Sequence, residues 1–117
     1  MQDDSATIFN AADAATTATS GTITIASGVN IGSIAIVTNS AFNGTTSTMA
    51  LQGSNDNSNW AQVLQDDNAT SMSFTLAAAS STYTFLLKAI FFKFYRLVYT
   101  KGDASAGTIT ANYTGKP

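Results

Sequence analysis

Histidine, cysteine and glutamate do not occur in these 117 residues, and the one proline is the last residue, Pro117. Each absence removes a class of chemistry. Proton transfer near neutral pH usually runs through His or a tuned Glu. Tight zinc sites are built from His and Cys. Thiol chemistry and disulfide staples need Cys. The ionisable side chains that remain are seven Asp, five Lys or Arg and four Tyr. Charged residues are 10% of the chain, well under the roughly 25% usual for soluble domains. A surface so poor in charge must be covered by hydroxyls and amides, or by partner subunits. The composition therefore points to a protein that packs, pairs and assembles, not to an enzyme, and no cofactor is expected.

The net charge is −2. Five scattered basic residues make no stripe able to track phosphates, so nucleic acid is not an expected partner. Asp3 and Asp4 stand where a secretory leader would carry Lys or Arg, and no apolar run follows, so no leader is expected. The greasiest stretch, residues 85–98, is interrupted by Lys88, Lys93 and Arg96. It is too short and too charged to span a membrane as a helix. The chain is long enough for a single domain with one core.

What is there reads as β structure. Thr is abundant, Ile, Val, Phe and Tyr fill the apolar slots, and Gly, Asn and Ser cluster between them. Residues 22–26 (TITIA) alternate strictly, with Ile23 and Ile25 on one face. Residues 32–38 are nearly continuous in apolar and small residues, which predicts a strand covered on both faces. Further strands are predicted over 46–53 (Met49 and Leu51 on one face), 60–64, 71–76 (Met72, Phe74, Leu76), 82–87 (Tyr83, Phe85, Leu87), 93–100 and 108–113 (Ile109, Ala111, Tyr113). About eight strands joined by turn-rich loops predict an antiparallel two-sheet β-sandwich, jelly-roll-like. Asn43-Gly44 suits a type I′ or related tight connection, since both residues tolerate positive φ. Residues 53–59 form a polar turn, and 101–107 are expected to close the last hairpin. Residues 88–92 are expected to hold a turn or bulge, because the apolar phase slips there. Residues 1–20 differ in composition and are expected to be an arm or edge segment attached to a sandwich domain over 21–117. Thr7 to Phe9 suits a short strand within it, and 13–19 a helical turn or an extended stretch.

Several constellations could carry chemistry. Asn55, Asp56, Asn57 and Asn59 resemble an oxygen-ligand calcium loop, with Asp66 and Asp67 as possible donors from a second loop. Trp60 stands sixth from Asn55, where the calcium loop needs Gly. Side chains satisfying their own turn is the reading preferred over a metal, and no metal site is expected. Trp60, the single tryptophan, is either a stacking platform for a sugar or base or, preferably, a core plug. The run 91–99 (FFKFYRLVY) puts Phe92, Phe94, Arg96 and Val98 on one face and Phe91, Lys93, Tyr95, Leu97 and Tyr99 on the other, which predicts a central strand. An unpaired buried Arg96 would cost several kcal/mol, so Asp56, Asp66 or Asp67, or a subunit interface, is expected to meet it. Asp66-Asp67 is an adjacent carboxylate pair, but neighbours on a strand point to opposite faces, a poor arrangement for glycoside hydrolysis. The matches to the glycosylation acceptor pattern at Asn43, Asn68 and Asn112 are of the kind expected by chance in a chain this rich in Asn and Thr.

Two of these segments together resemble a known group. Ser54-Asn55-Asp56 followed by Trp60, then Phe94-Tyr95-Arg96-Leu97-Val98-Tyr99, then a Gly-containing turn into Gly107-Thr108-Ile109-Thr110, resemble small β-sandwich virion proteins of tailed bacteriophages. The similarity covers about 21–114. It implies a capsid decoration or auxiliary capsid protein at the capsid surface, bound to the major capsid protein or other virion proteins and to sister copies as a homo-oligomer, with a trimer the form such proteins often take. Carbohydrate-binding sandwiches share the Ser-x-Asp and Trp arrangement. The competing expectation is therefore a glycan-binding module of a tail or head fibre. Under either, Asn57, Asn59, Trp60, Tyr95 and Arg96 are the candidate binding or interface residues.

Overall fold

The computed structural model describes residues 4–64 and 72–117. The regular elements among them are all strands: β1 (Ser5–Asp13), β2 (Ala18–Thr19), β3 (Ile23–Thr24), β4 (Ile31–Thr38), β5 (Ser47–Ser54), β6 (Ala61–Gln62), β7 (Ser73–Leu76), β8 (Thr82–Leu87), β9 (Phe94–Thr100) and β10 (Thr108–Lys116). Asp66, Asp67, the acceptor match at Asn68 and the start of the strand predicted over 71–76 lie outside the described residues.

Every pairing is antiparallel. One sheet runs β1-β10-β4-β8. The other is centred on β9 and β5: β2 and β3 both lie against β9, and β6 and β7 both lie against β5. Each of those outer pairs is one strand in two pieces. Ser20 closes the first gap, its amide donating to the Leu97 carbonyl and its hydroxyl accepting from the Leu97 amide, both at 2.8 Å. Leu51 closes the second, accepting from Val63 N and donating to the Met72 carbonyl, both at 3.0 Å. Counted as eight, the strands run first-eighth-third-sixth in one sheet and second-seventh-fourth-fifth in the other. That order is the jelly roll, two sheets built from interlocked Greek keys.

The core follows from alternation. Ile34 and Ile36, Met49 and Leu51, Phe85 and Leu87, Leu97 and Tyr99, and Ile109 and Ala111 are buried at every second position, so each strand turns one apolar row inward. Ile23 and Ile25 are buried as the alternation of 22–26 requires. Residues 5–13 form an edge strand of one sheet, and 18–19 part of an edge of the other. β1 is nine residues long and pairs with β10, and β2 pairs with β9, so no boundary separates residues 5–19 from the sandwich. Between them, Asp13 holds a turn, accepting from Ala15 N at 2.9 Å.

Three expectations about the chain's course are corrected. Residues 32–38 are covered on one face only: Ile34 and Ile36 are fully buried, whereas Val37 is exposed and Ala35 partly so. Its outer face belongs to a sheet surface of small, hydroxyl and apolar residues with little charge, which no third layer covers. Asn43-Gly44 does not close a hairpin. β4 and β5 lie in different sheets, and neither Asn43 nor Gly44 has positive φ. Asn43 instead pins the crossing, its Oδ1 accepting from Ser105 N at 2.9 Å and Ala106 N at 3.2 Å. Residues 101–107 likewise carry the chain from one sheet to the other, between β9 and β10. The polar turn after β5 does join neighbours in one sheet.

Candidate assembly surface

The four-stranded sheet turns its second face outward. Register aligns Thr84, Ala35, Asn112 and Thr7 across β8, β4, β10 and β1, and beside them Leu86, Ser33, Thr114 and Ser5. Neither row contains a charged residue. Thr7 Oγ1 donates to Asn112 Oδ1 at 2.7 Å, so part of this hydroxyl surface is already ordered. Leu86 is 59% exposed, and Val37, opposite Thr82 at the other end of β8, is also exposed. These two rows are uncharged and mixed in hydroxyl and apolar character, and the nearest charge on the outward row of β10 is Lys116, opposite Ile31. Contact with another protein surface over those two rows would desolvate no ion.

At the β8 margin the two sheets part. A cleft of about 700 Å³ opens between β8 and the β6–β7 edge, lined by Leu64, Met72, Phe74, Phe85, Phe91 and Tyr95 among others. Phe74 and Phe85 meet with ring centres 4.5 Å apart. Phe91, on the loop between β8 and β9, is 80% exposed. An aromatic side chain left in water at the mouth of an apolar cleft is the largest exposed apolar feature among the described residues.

The five residues singled out from the sequence do not converge. Trp60 and Arg96 are together: the Arg96 guanidinium lies 4.2 Å from the Trp60 ring centre, and its Nε donates to Gln52 Oε1 at 2.8 Å. Among the described residues Arg96 thus meets an amide and a ring; Asp66 and Asp67, two of the three carboxylates it could meet, lie outside them. The reason is register: Gln52 is its cross-strand partner on β5, and Trp60 follows on the next edge. Trp60 is no core plug. It falls on the outer face with Gln52 and Gln62 and is half-buried under the guanidinium. Tyr95 is on the opposite, inner face and almost fully buried. Its hydroxyl accepts from Phe91 N at 3.2 Å and Phe92 N at 3.3 Å, fixing the loop that leads into β9, and burial raises its pKa.

Asn57 and Asn59 belong to the turn after β5. Asp56 organises it, accepting from Ser58 N at 2.9 Å and Asn59 N at 2.8 Å on Oδ1 and from Asn59 Nδ2 at 2.6 Å on Oδ2. Asn57 has φ +59°, a left-handed conformation Asn tolerates, and its amide donates to Ser54 Oγ at 3.0 Å. The Asn59 amide, foremost, and then that of Ser58 hold the Asp56 carboxyl well below the ordinary range. The side chains that resembled a calcium loop are satisfying their own turn. Asp103 does the same work across loops. It accepts from the Thr45 hydroxyl, from Thr45 N at 2.7 Å and from Thr46 N at 2.9 Å, and its pKa is lowered chiefly by the Thr45 hydroxyl. Both carboxylates accept from donors of this chain on each of their oxygens.

Compared with known families and curated proteins, the chain matches no family model and no curated sequence. The hydroxyl and apolar outer face and the cleft margin escaped sequence reasoning. The signal was present in positions 82, 84 and 86, which carry Thr, Thr and Leu opposite an inward row of Tyr83, Phe85 and Leu87. An apolar residue in the outward row of a strand whose inward row is complete marks a surface to be covered.

Proposed function

We propose that this chain is a structural virion protein, a capsid decoration or auxiliary capsid protein that binds the head shell and sister subunits. The observation that carries it is the hydroxyl and apolar face of the four-stranded sheet, uncharged over its two aligned central rows, on a jelly-roll scaffold whose carboxylates at Asp56 and Asp103 are spent on loop geometry. The residues that resemble phage sandwich proteins supply the virion context. The mechanism is passive: many copies each contribute a modest contact, and repetition multiplies the affinity. The partner is the major capsid protein, and the location is the capsid surface. Fractionating purified particles tests this. Co-purification in many copies per particle is the expected result; absence from particles overturns it, and a handful of copies moves the protein to the tail.

A glycan-binding role in host adsorption is the second reading, favoured by the partly exposed Trp60 ring beside Gln52 and Gln62. Titration of tryptophan emission with sugars tests it, and an indifferent spectrum rules it out.

A further inference from the structure

We propose that β8 is a self-pairing edge: two copies of this chain join β8 to β8, antiparallel about a twofold axis, into one continuous sheet. Among the described residues there are four sheet margins, and three are blunted against strand addition. β1 has two register shifts against β10 and a left-handed residue, Ala11, at φ +49°. The β2–β3 margin consists of two-residue pieces, and the β6–β7 margin of two and four residues. β8 alone offers six uninterrupted residues, TYTFLL, with no bulge, charge, Gly or Pro. Among the described residues it pairs with β4 only.

The backbone phase suits a second copy. Thr38 N donates to the Ser81 carbonyl at 2.9 Å. Alternation along the β4–β8 ladder then directs the amides and carbonyls of Thr82, Thr84 and Leu86 away from β4. A twofold axis through Thr84 pairs that residue with Thr84 of the second copy and sets Thr82 against Leu86 on either side. Lys88 then falls opposite Ser80 of the second copy, so like charges do not meet. Paired residues of an antiparallel ladder share a face, so both inner sheets lie on one side of the joined sheet and the two apolar clefts open toward each other. Phe91 and Leu64, exposed at the cleft mouth, are covered by that arrangement. A shared sheet edge and a shared apolar seam are one continuous contact, and its occupant is this chain itself.

The pairing does not rest on the virion role. The pure chain in solution tests the one, and particle fractionation tests the other. Sedimentation of the full chain at loadings from about 1 to 100 µM should show growth from the single-chain mass of 12.1 kDa to twice that value. Amide exchange at Thr84 and Leu86 should slow as the larger species forms. Thr84→Pro removes one outward donor per copy and leaves the β4 ladder intact; it should weaken association by roughly tenfold or more. Leu86→Lys, at an exposed position, tests the same seam without touching the backbone and should also weaken it. A wild-type chain that stays at 12.1 kDa throughout overturns the proposal. So does any assembly in which Thr84 and Leu86 exchange freely, or one that Leu86→Lys leaves as tight as before.

Discussion

Arg96 spreads its guanidinium over the Trp60 ring at 4.2 Å while its Nε holds Gln52 across the strand at 2.8 Å. One side chain thereby ties β9, β5 and the start of β6 together on the outer face. A cation over an indole contributes about 0.5–1 kcal/mol at an exposed site, and the Gln52 bond adds about 1 kcal/mol. Arg96→Ala should cost about 1–2 kcal/mol by denaturant titration. It should also red-shift the emission of the single tryptophan as the ring becomes wetted. Arg96→Lys keeps the charge but loses the planar stack and the Nε donor, so it should recover little of that stability. Unchanged emission in Arg96→Ala would show that the stack does not persist in solution.

Tyr99 reaches back to the segment between β1 and β2. Its hydroxyl donates to the Ala14 carbonyl at 2.7 Å, within a buried environment. Ala14 itself is fully buried, and its amide bonds the Gly107 carbonyl at 3.0 Å. This is the latch that makes the N-terminal segment part of the sandwich. Tyr99→Phe keeps the ring and strands a buried carbonyl, which should cost about 1–3 kcal/mol. The loss should appear first as faster amide exchange at Ala14 and Ser20, before global unfolding. Equal loss of protection across all strands would contradict the latch.

Inward rows were legible because a strand's period is two and this chain rarely breaks it. Met49 and Leu51, or Phe85 and Leu87, could be assigned to a face from spacing alone. Sheet membership was not, because alternation says which way a side chain points and nothing about which strand lies beside it. Asn43-Gly44 and the turn at 101–107 carry the residues of hairpins yet cross between sheets; local turn preference is the same for both uses. Arg96 shows the same limit. Its need for a partner was readable, but Gln52 became that partner through a register set by the whole β5–β9 ladder. Trp60 was misplaced because size argued for the core, whereas its place just before the two-residue edge strand β6 puts it on the outer face.

Asp56 and Asp103 make stability depend on pH at the acid end. Their amide and hydroxyl donors favour the ionised form, so folding lowers both pKa values. Their contribution is therefore complete above the ordinary aspartate value, about 3.9. It drains away as pH falls through the folded-state values. Thermal melts should be flat from about pH 5 to 8 and fall below about pH 4. Asp103→Asn should lower the melting temperature at pH 7 and flatten the acid limb, because the mutant has nothing left to protonate there. A variant with the same acid dependence as the parent would place the sensitivity elsewhere.

Two glycines separate backbone strain from steric conflict. Gly28 and Gly107 both have positive φ, +88° and +100°. A Cβ on Gly28 would meet nothing within 4 Å, so Gly28→Ala bears the conformational penalty alone, about 1–2 kcal/mol. A Cβ on Gly107 would stand 2.4 Å from Phe42 Cα and 2.5 Å from Phe42 N, both backbone atoms that no rotamer change can move. Gly107 also accepts the Ala14 amide through its carbonyl and adjoins Thr108, whose amide bonds Asn39 Oδ1 at 3.0 Å. Displacing it would pull apart the loops at 39–43 and 105–108 and the turn after β1 together. Gly107→Ala should therefore lose at least about 2 kcal/mol more than Gly28→Ala by denaturant unfolding. It should also loosen the Asn43 bonds to Ser105 and Ala106, visible as faster exchange of those two amides. Equal losses for the two variants would mean that Phe42 yields, and that the crossing between the sheets is softer than its hydrogen bonds indicate.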